Sequence, residues 1–399
     1  MDHKPDCVVH VHDTIAGIPA AAWDACANPD PARRNPFLGH AFLKALEDSG
    51  CVGARKGWVP QHLAIQKPEG GIAGVMPLYL KSHSRGEYVF DYGWADAFER
   101  AGGSYYPKLQ ACVPFTPVTG RRLLIPDGED REYIGALLMK AATELVRLHE
   151  ASSLHLTFLT EEEWRDHGEA PFLRRTDRQF HWINQGFASF DDFLGALASR
   201  KRKALKKERR EAVAAGITIE HVTGAAITEA HWDAFFSFYQ DTGGRKWGTP
   251  YLNRRFFSMI GETMRDDLLL IMCSRGGKMI AGALNVIGGD TLYGRYWGCV
   301  ENHPFLHFET CYYQAIDFAI ARGLARVEAG AQGEHKLARG YVPQITHSLH
   351  YLAHPALRRA VAQFLEQERE AVEEEARYLT ELTPFRRDGG DAPEDGCET

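Results

Sequence analysis

No stretch of this chain is apolar for long enough to cross a bilayer. The longest such run lies near Leu268 to Cys273, far short of the roughly 20 residues a spanning helix needs. Paired cysteines are missing too. Cys7, Cys26, Cys51, Cys112, Cys273, Cys299, Cys311 and Cys397 are scattered with no Cys-x-x-Cys, which argues against a zinc site or a disulfide framework and for a reducing compartment. Positive charge is not in excess: 46 Lys and Arg face 53 Asp and Glu, a net charge of −7. That speaks against a general nucleic-acid binder, and a DNA partner is not expected, but a local basic site stays open. There is no Gly-x-Gly-x-x-Gly after a first strand, no P-loop, no Gly-x-Ser-x-Gly and no His-Glu-x-x-His, so a dinucleotide site, a nucleotide-triphosphate cradle, a nucleophile elbow and a zinc protease are unsupported. Met1 to Cys7 contains no apolar signal-type segment, and a cytoplasmic protein is expected.

What is present is a repeat. Gly71-Ile72-Ala73-Gly74-Val75-Met76 reads like Met279-Ile280-Ala281-Gly282-Ala283-Leu284. Each follows a β-like run and a glycine turn, and each precedes an aromatic stretch expected to be a strand, Glu87 to Trp94 and Thr291 to Cys299. Each half then offers an amphipathic helix, around Tyr133 to Leu148 and around Cys311 to Ala319, leading into a strand at Leu154 to Leu159 or Ala325 to Ala329. A final strand closes each half, at Gln179 to Asn184 and Ser348 to Ala353. With 399 residues, two similar α/β domains are expected: 1–185 and 186–353, then a C-terminal helix over 354–387 and a disordered tail over 388–399.

The second domain opens on a basic run, Arg200 to Arg210, inside a helix expected from Phe190 to Ala215. Such a run is either a solvated helical face or a site for a cofactor phosphate, a tRNA or lipid headgroups.

Chemistry concentrates in two segments of the second half. In Val327 to Tyr341, a short strand breaks into Gly330, Gly333 and Gly340 carrying Gln332, Glu334, His335, Lys336 and Arg339. Glycines and ionisable groups at a strand end are how α/β enzymes present reactive side chains, and His335 is a base suited to neutral pH. The other segment, His307-Phe308-Glu309-Thr310-Cys311-Tyr312-Tyr313, opens the preceding helix, where free N–H groups favour anions. Glu309 and Tyr313 share a helix face. Glu309 also fits a first-turn acid, and the tyrosines also fit a core. In the first half, Lys81, His83 and Arg85 follow a strand, and Thr116 and Arg121 sit in a Pro-punctuated loop; substrate anions or plain turns both explain them.

Taken together, Asn35-Pro36-Phe37, Pro77 to Trp94, Tyr105 to Leu109, Pro114 to Arg122, His307 to Tyr313 and Glu328 to Tyr341 resemble the Fem-type aminoacyl transferases, and more closely a bacterial N-acyltransferase branch of "peptidoglycan biosynthesis/recognition" type. The resemblance spans roughly residues 33 to 380. It implies a tandem duplicated acetyltransferase-like (GNAT) fold of α/β (α+β) class, each half a mixed sheet flanked by helices, and an amide-forming acyl transfer. No tightly bound cofactor and no metal is expected. The first expectation is acyl-CoA as co-substrate and a primary amine, a sphingoid base in a ceramide-synthase-like reaction, with peripheral contact at the inner membrane. The alternatives are a tRNA-dependent aminoacyl transfer to a peptidoglycan precursor and a binding module of the same fold. Acetyltransferases carry Gln/Arg-x-x-Gly-x-Gly/Ala where this chain reads Glu301 to His307, which opens carrier-protein and aminoacyl-tRNA donors as well. In the expected mechanism His335 is the base, Glu334 or Glu309 orients it or the amine, Tyr312 or Tyr313 protonates the leaving group, main-chain N–H groups of Gly330 to Gly333 hold the oxyanion, and Lys336, Arg339 and His307 hold the donor.

Overall fold

The computed structural model describes residues 7–246, 250–330 and 333–386, with the main chain only for 243–246 and for 334. The strands are β1 (Val8–His12), β2 (Trp58–Pro60), β3 (His62–Gln66), β4 (Ile72–Met76), β5 (Tyr79–Lys81), β6 (Lys108–Ala111), β7 (Ser153–Leu159), β8 (Leu173–Ile183), β9 (Ile217–Thr223), β10 (Leu268–Arg275), β11 (Lys278–Ile287), β12 (Thr291–Cys299), β13 (Arg326–Glu328) and β14 (Val342–Leu352). Three of them form a small sheet, β1-β3-β4. Eleven form one continuous sheet in the order β2-β5-β6-β7-β14-β8-β13-β12-β11-β10-β9. The α/β class is as expected.

The repeat survives in the pairing. Each half has one parallel pair, β6 with β7 and β12 with β13, and each pair is bridged by a helix, Arg131–Leu148 or Gln314–Ala321. These crossovers bury apolar stripes on the sheet: Leu138, Ala142, Leu145 and Val146 over Leu154 and Leu156, and Ala315, Ile316 and Ala319 near Leu292 and Val327. Each fully buried aliphatic contributes about 1.5–3 kcal/mol.

The closing strands do not complete their own halves. β8 pairs with β13 of the second half, β14 pairs with β7 of the first, and the two pair with each other from Val342↔His181 to His350↔Leu173. Both run eleven residues, long enough to engage a neighbour on each side. The exchange welds the halves and brings β7, β8 and β14 together at the centre of the sheet.

Other expectations shift for local reasons. Glu87 to Trp94 is not a strand. Tyr88 has φ of 63°, a left-handed conformation costly for a bulky residue, and a helix begins at Tyr92 (Tyr92–Arg100). The basic helix is two helices, Phe190–Ala196 and Ser199–Ala212. Between them Leu197 turns extended and is fully buried, bridging to Phe385. The C-terminal helix (Pro355–Glu381) packs on β8 and β14 and is pinned by Arg175 to Glu368 at 2.7 Å. The tail from Asp388 lies outside the described residues. Among those described, no helix is long and apolar enough to cross a membrane.

Candidate active site

The parallel pair of the second half creates an opening. β12 and β13 run together only from Thr291↔Arg326 to Tyr293↔Glu328. Beyond that β12 continues to Cys299, β13 has ended, and the register between β11 and β12 slips at Leu284/Asn285. Such irregularities re-aim side chains. The result is a cavity of about 100 Å3 whose walls include Asn285, Gly294, Arg295, His307, Tyr312 and Ala329. A second, larger cavity of about 610 Å3 lies where the exchanged strands meet, against Tyr88, Phe158, Gln179, Phe180, His335 and Thr346. Phe158, like Tyr88, is left-handed, with φ of 58°. Strained bulky residues persist where the surroundings over-determine them, commonly at functional sites.

His335 and Tyr312 join the two cavities. The exposed His335 ring borders the larger one, Tyr312 borders the smaller, and the Tyr312 hydroxyl lies 2.8 Å from His335 Nε2. Burial raises the Tyr312 hydroxyl pKa above its ordinary value, which keeps it protonated and able to donate. His307 stands 5.5 Å from the Tyr312 ring and 6.2 Å from the His335 ring, centre to centre. Gly333 has φ of 119°, and a Cβ there would come within 2.5 Å of His335 Cε1, so glycine is what lets the imidazole fold back over its own turn.

The loop carrying His335 is held from below by buried charges. Arg339 stacks 3.4 Å over Phe308, donates to the His335 carbonyl at 2.7 Å and pairs with Glu208 of the basic helix at 2.9 Å. The Tyr313 hydroxyl donates to the same Glu208 carboxylate. Lys336 is 1% exposed and donates to the Gly330 carbonyl at 3.0 Å. Burial, helped by the nearby Arg295 charge, pushes its pKa down to about 7. Both cations therefore point inward and shape the loop; neither is presented to a donor phosphate. Glu309 is also turned away from His335: it is buried, pairs with Arg209 at 2.9 Å and accepts from Gln314. Glu334 begins the short turn Glu334–Arg339. Gly330 has φ of 74°; Ala331 and Gln332 lie outside the described residues.

The first-half candidates lie elsewhere. Lys81 is fully buried, 3.1 Å from Glu87 and over the Trp58 ring; burial lowers its pKa to about 8. It belongs to a closed polar cluster in which Lys108 holds Glu87 at 2.7 Å and Asp91 at 2.5 Å, beside His155. His83 bonds the Lys56 carbonyl, and Arg85 is exposed. Arg121 is committed to the carbonyls of Ile125, Cys26 and Ala27. Thr116 alone reaches the second-half site, accepting from Arg295 Nε at 2.6 Å.

Arg295 and Asn285 belong to no motif that the sequence displays. The Arg295 side chain is 2% exposed, pairs with Glu328 at 3.0 Å and stacks beside Phe37 and Tyr293. Their one signal is a polar residue in an apolar strand: Asn285 interrupts Ile280 to Ile287, and Arg295 interrupts Tyr293 to Trp297.

Residues 14–387 match the family model described as FemAB-like, peptidoglycan biosynthesis/recognition. No curated protein matches the chain. Among solved structures, a crystal structure of FemX is 12% identical over 88% of this chain and 98% of its own, with a TM-score of 0.54. The C-terminal domain of a putative lysylphosphatidylglycerol synthetase from Agrobacterium fabrum is 9% identical over 86% and 95%, with a TM-score of 0.51. A conserved protein of unknown function from Bacteroides thetaiotaomicron is 12% identical over 86% and 99%, with a TM-score of 0.50. At these identities the likeness is one of fold.

Proposed function

The chain belongs to the FemAB-like family, and from that premise we propose that it is an aminoacyl transferase that moves an aminoacyl group from a tRNA ester to a primary amine of a peptidoglycan-type precursor. The observation that carries the reading is the His335–Tyr312 pair at 2.8 Å between two cavities. The acceptor amine enters the larger cavity beside His335, and the ester carbonyl sits in the smaller one beside Tyr312 and Arg295. The amine arrives as an ammonium and must first lose one proton. On attack it gives up a second to His335. His335 releases a proton from Nε2 to the Tyr312 oxygen while the Tyr312 hydroxyl protonates the departing ribose oxygen, so one amide forms, one ester breaks and the proton count balances. Arg295 faces the oxygen on which negative charge develops.

The basic helix supports the tRNA donor. Arg200, Lys201, Lys203 and Arg210 are exposed on it, while Glu208 and Arg209 of the same helix bind Arg339 and Glu309 of the site. The acyl-CoA donor and sphingoid-base acceptor find less support. Glu301 to His307 lacks the Gln/Arg-x-x-Gly-x-Gly/Ala pattern with which acetyltransferases hold a coenzyme A pyrophosphate; in that segment Glu301 pairs with Arg275 at 2.8 Å and His303 at 3.0 Å, and Phe305 takes φ of 61°. The test is a donor panel with purified protein: charged tRNAs against acyl-CoAs, each with an amine-bearing muropeptide and with a sphingoid base. The reading expects amide product from charged tRNA and the muropeptide; thiol release from acyl-CoA with a sphingoid-base product would replace it by the lipid reading.

A further inference from the structure

Asn285 is 1% exposed, and neither its Oδ1 nor its Nδ2 has a hydrogen-bond partner. Folded proteins pair the great majority of buried polar atoms, and an amide unpaired at both ends is doubly unfavourable. It lines the cavity at the β12–β13 opening, which Arg295 and Tyr312 also line. Its neighbour Gly294 keeps that side open: a Cβ there would stand 3.2 Å from Asn285 Oδ1. A ligand that relieves this amide must offer an acceptor to Nδ2 and a donor to Oδ1, side by side.

We propose that Asn285 is a specificity-determining residue that reads the α-amine and the carbonyl of an α-aminoacyl donor together. A plain acyl group supplies only the carbonyl and leaves Oδ1 unpaired. The carbonyl lies toward Arg295, whose charge is matched by Glu328 at 3.0 Å. The α-amine meets Oδ1 as the free amine, a form that a group titrating near pH 8 readily provides and that avoids setting an ammonium against Arg295. Identification of the ligand as the reactive donor rests on the function proposed above; the two-sided recognition rests on the cavity itself.

The probes are L-alanine methyl ester and methyl propionate, which share the ester and differ in the α-amine. Binding of each is measured by NMR titration to the full-length protein, to Asn285→Leu and to Gly294→Ala. The proposal expects the wild type to bind the alanine ester at least about tenfold more tightly. It expects the preference to vanish in Asn285→Leu, whose melting temperature does not fall because an unpaired amide has been removed, and to shrink in Gly294→Ala, which crowds Oδ1 and keeps the amide. Equal binding of the two esters to the wild type, binding of neither, or a preference that persists in both variants overturns it. If the ester preference holds while charged tRNA gives no product, the tRNA reading falls and Asn285 stands. If charged tRNA is used but a propionyl-tRNA serves equally, Asn285 falls and the tRNA reading stands.

Discussion

Tyr312 and His335 are 23 positions apart in sequence and 2.8 Å apart in space, hydroxyl to Nε2. They bring a helix-opening segment and a glycine turn together, and in the proposed transfer they form one proton path. Tyr312→Phe removes the hydroxyl and leaves the ring packing. Loss of the group that protonates the leaving oxygen lowers turnover at least about 100-fold, while loss of one hydrogen bond, about 1 kcal/mol, lowers the melting temperature by only a few degrees, roughly 2–4 °C. Steady-state kinetics beside a thermal melt check this; an unchanged turnover removes Tyr312 from the path.

Gly333 controls where the imidazole sits. Gly333→Ala sets a Cβ 2.5 Å from the His335 ring at φ of 119°, which costs about 1–3 kcal/mol of strain and displaces the base. Gly276→Ala is the control: φ is 56° and a Cβ meets nothing within 4 Å. Both variants lose stability in denaturant unfolding, and only the first loses turnover.

Lys336 makes stability depend on pH in a defined window. Its pKa is about 7 when folded against an ordinary 10.5, so between those values the unfolded chain binds the extra proton and stability rises with pH. Below about pH 7 both states are protonated and the cost of the buried charge is fully present. Lys336→Met abolishes this contribution, whose slope reaches at most about 1.4 kcal/mol per pH unit. Urea unfolding from pH 6 to 10 therefore shows Lys336→Met more stable than wild type at pH 6, with the gap closing toward pH 10. A gap that does not change with pH contradicts the assignment.

On the proposed tRNA donor, the outer face of the basic helix is what sets affinity. Replacing Arg200, Lys201, Lys203 and Arg210 by Ala lowers the salt slope of binding by roughly one for each phosphate no longer neutralised and leaves the His335–Tyr312 pair in place. Filter binding across a salt series measures it. An unchanged slope means that tRNA binds elsewhere or not at all.

Much of this was legible in the chain, and for physical reasons. The Ile-Ala-Gly repeat, the crossover helices and the C-terminal helix follow local periodicity, which side-chain burial writes directly into sequence. The glycine-flanked His335 and the His307 to Tyr313 segment do come together. The strand exchange was not legible, because local alternation says that β8 and β14 are strands but not which half they join. Glu87 to Trp94 reads like a strand because aromatic residues favour strands, whereas Glu87 and Asp91 turn inward to bind Lys108 and a helix begins at Tyr92. Lys336 and Arg339 looked like phosphate ligands because sequence shows charge and not direction. Asn285 and Arg295 were hidden as ordinary strand residues, although a lone polar group in an apolar run is the mark of a buried site.

In the proposed transfer His335 accepts the proton of the attacking amine. The most direct test is single-turnover transfer from a charged tRNA to an amine-bearing muropeptide, comparing wild type with a folded His335→Ala enzyme at saturating donor. With His335 as the base, the transfer rate falls at least about 100-fold while donor affinity stays within a few-fold. A folded His335→Ala enzyme that transfers at the wild-type rate would contradict it.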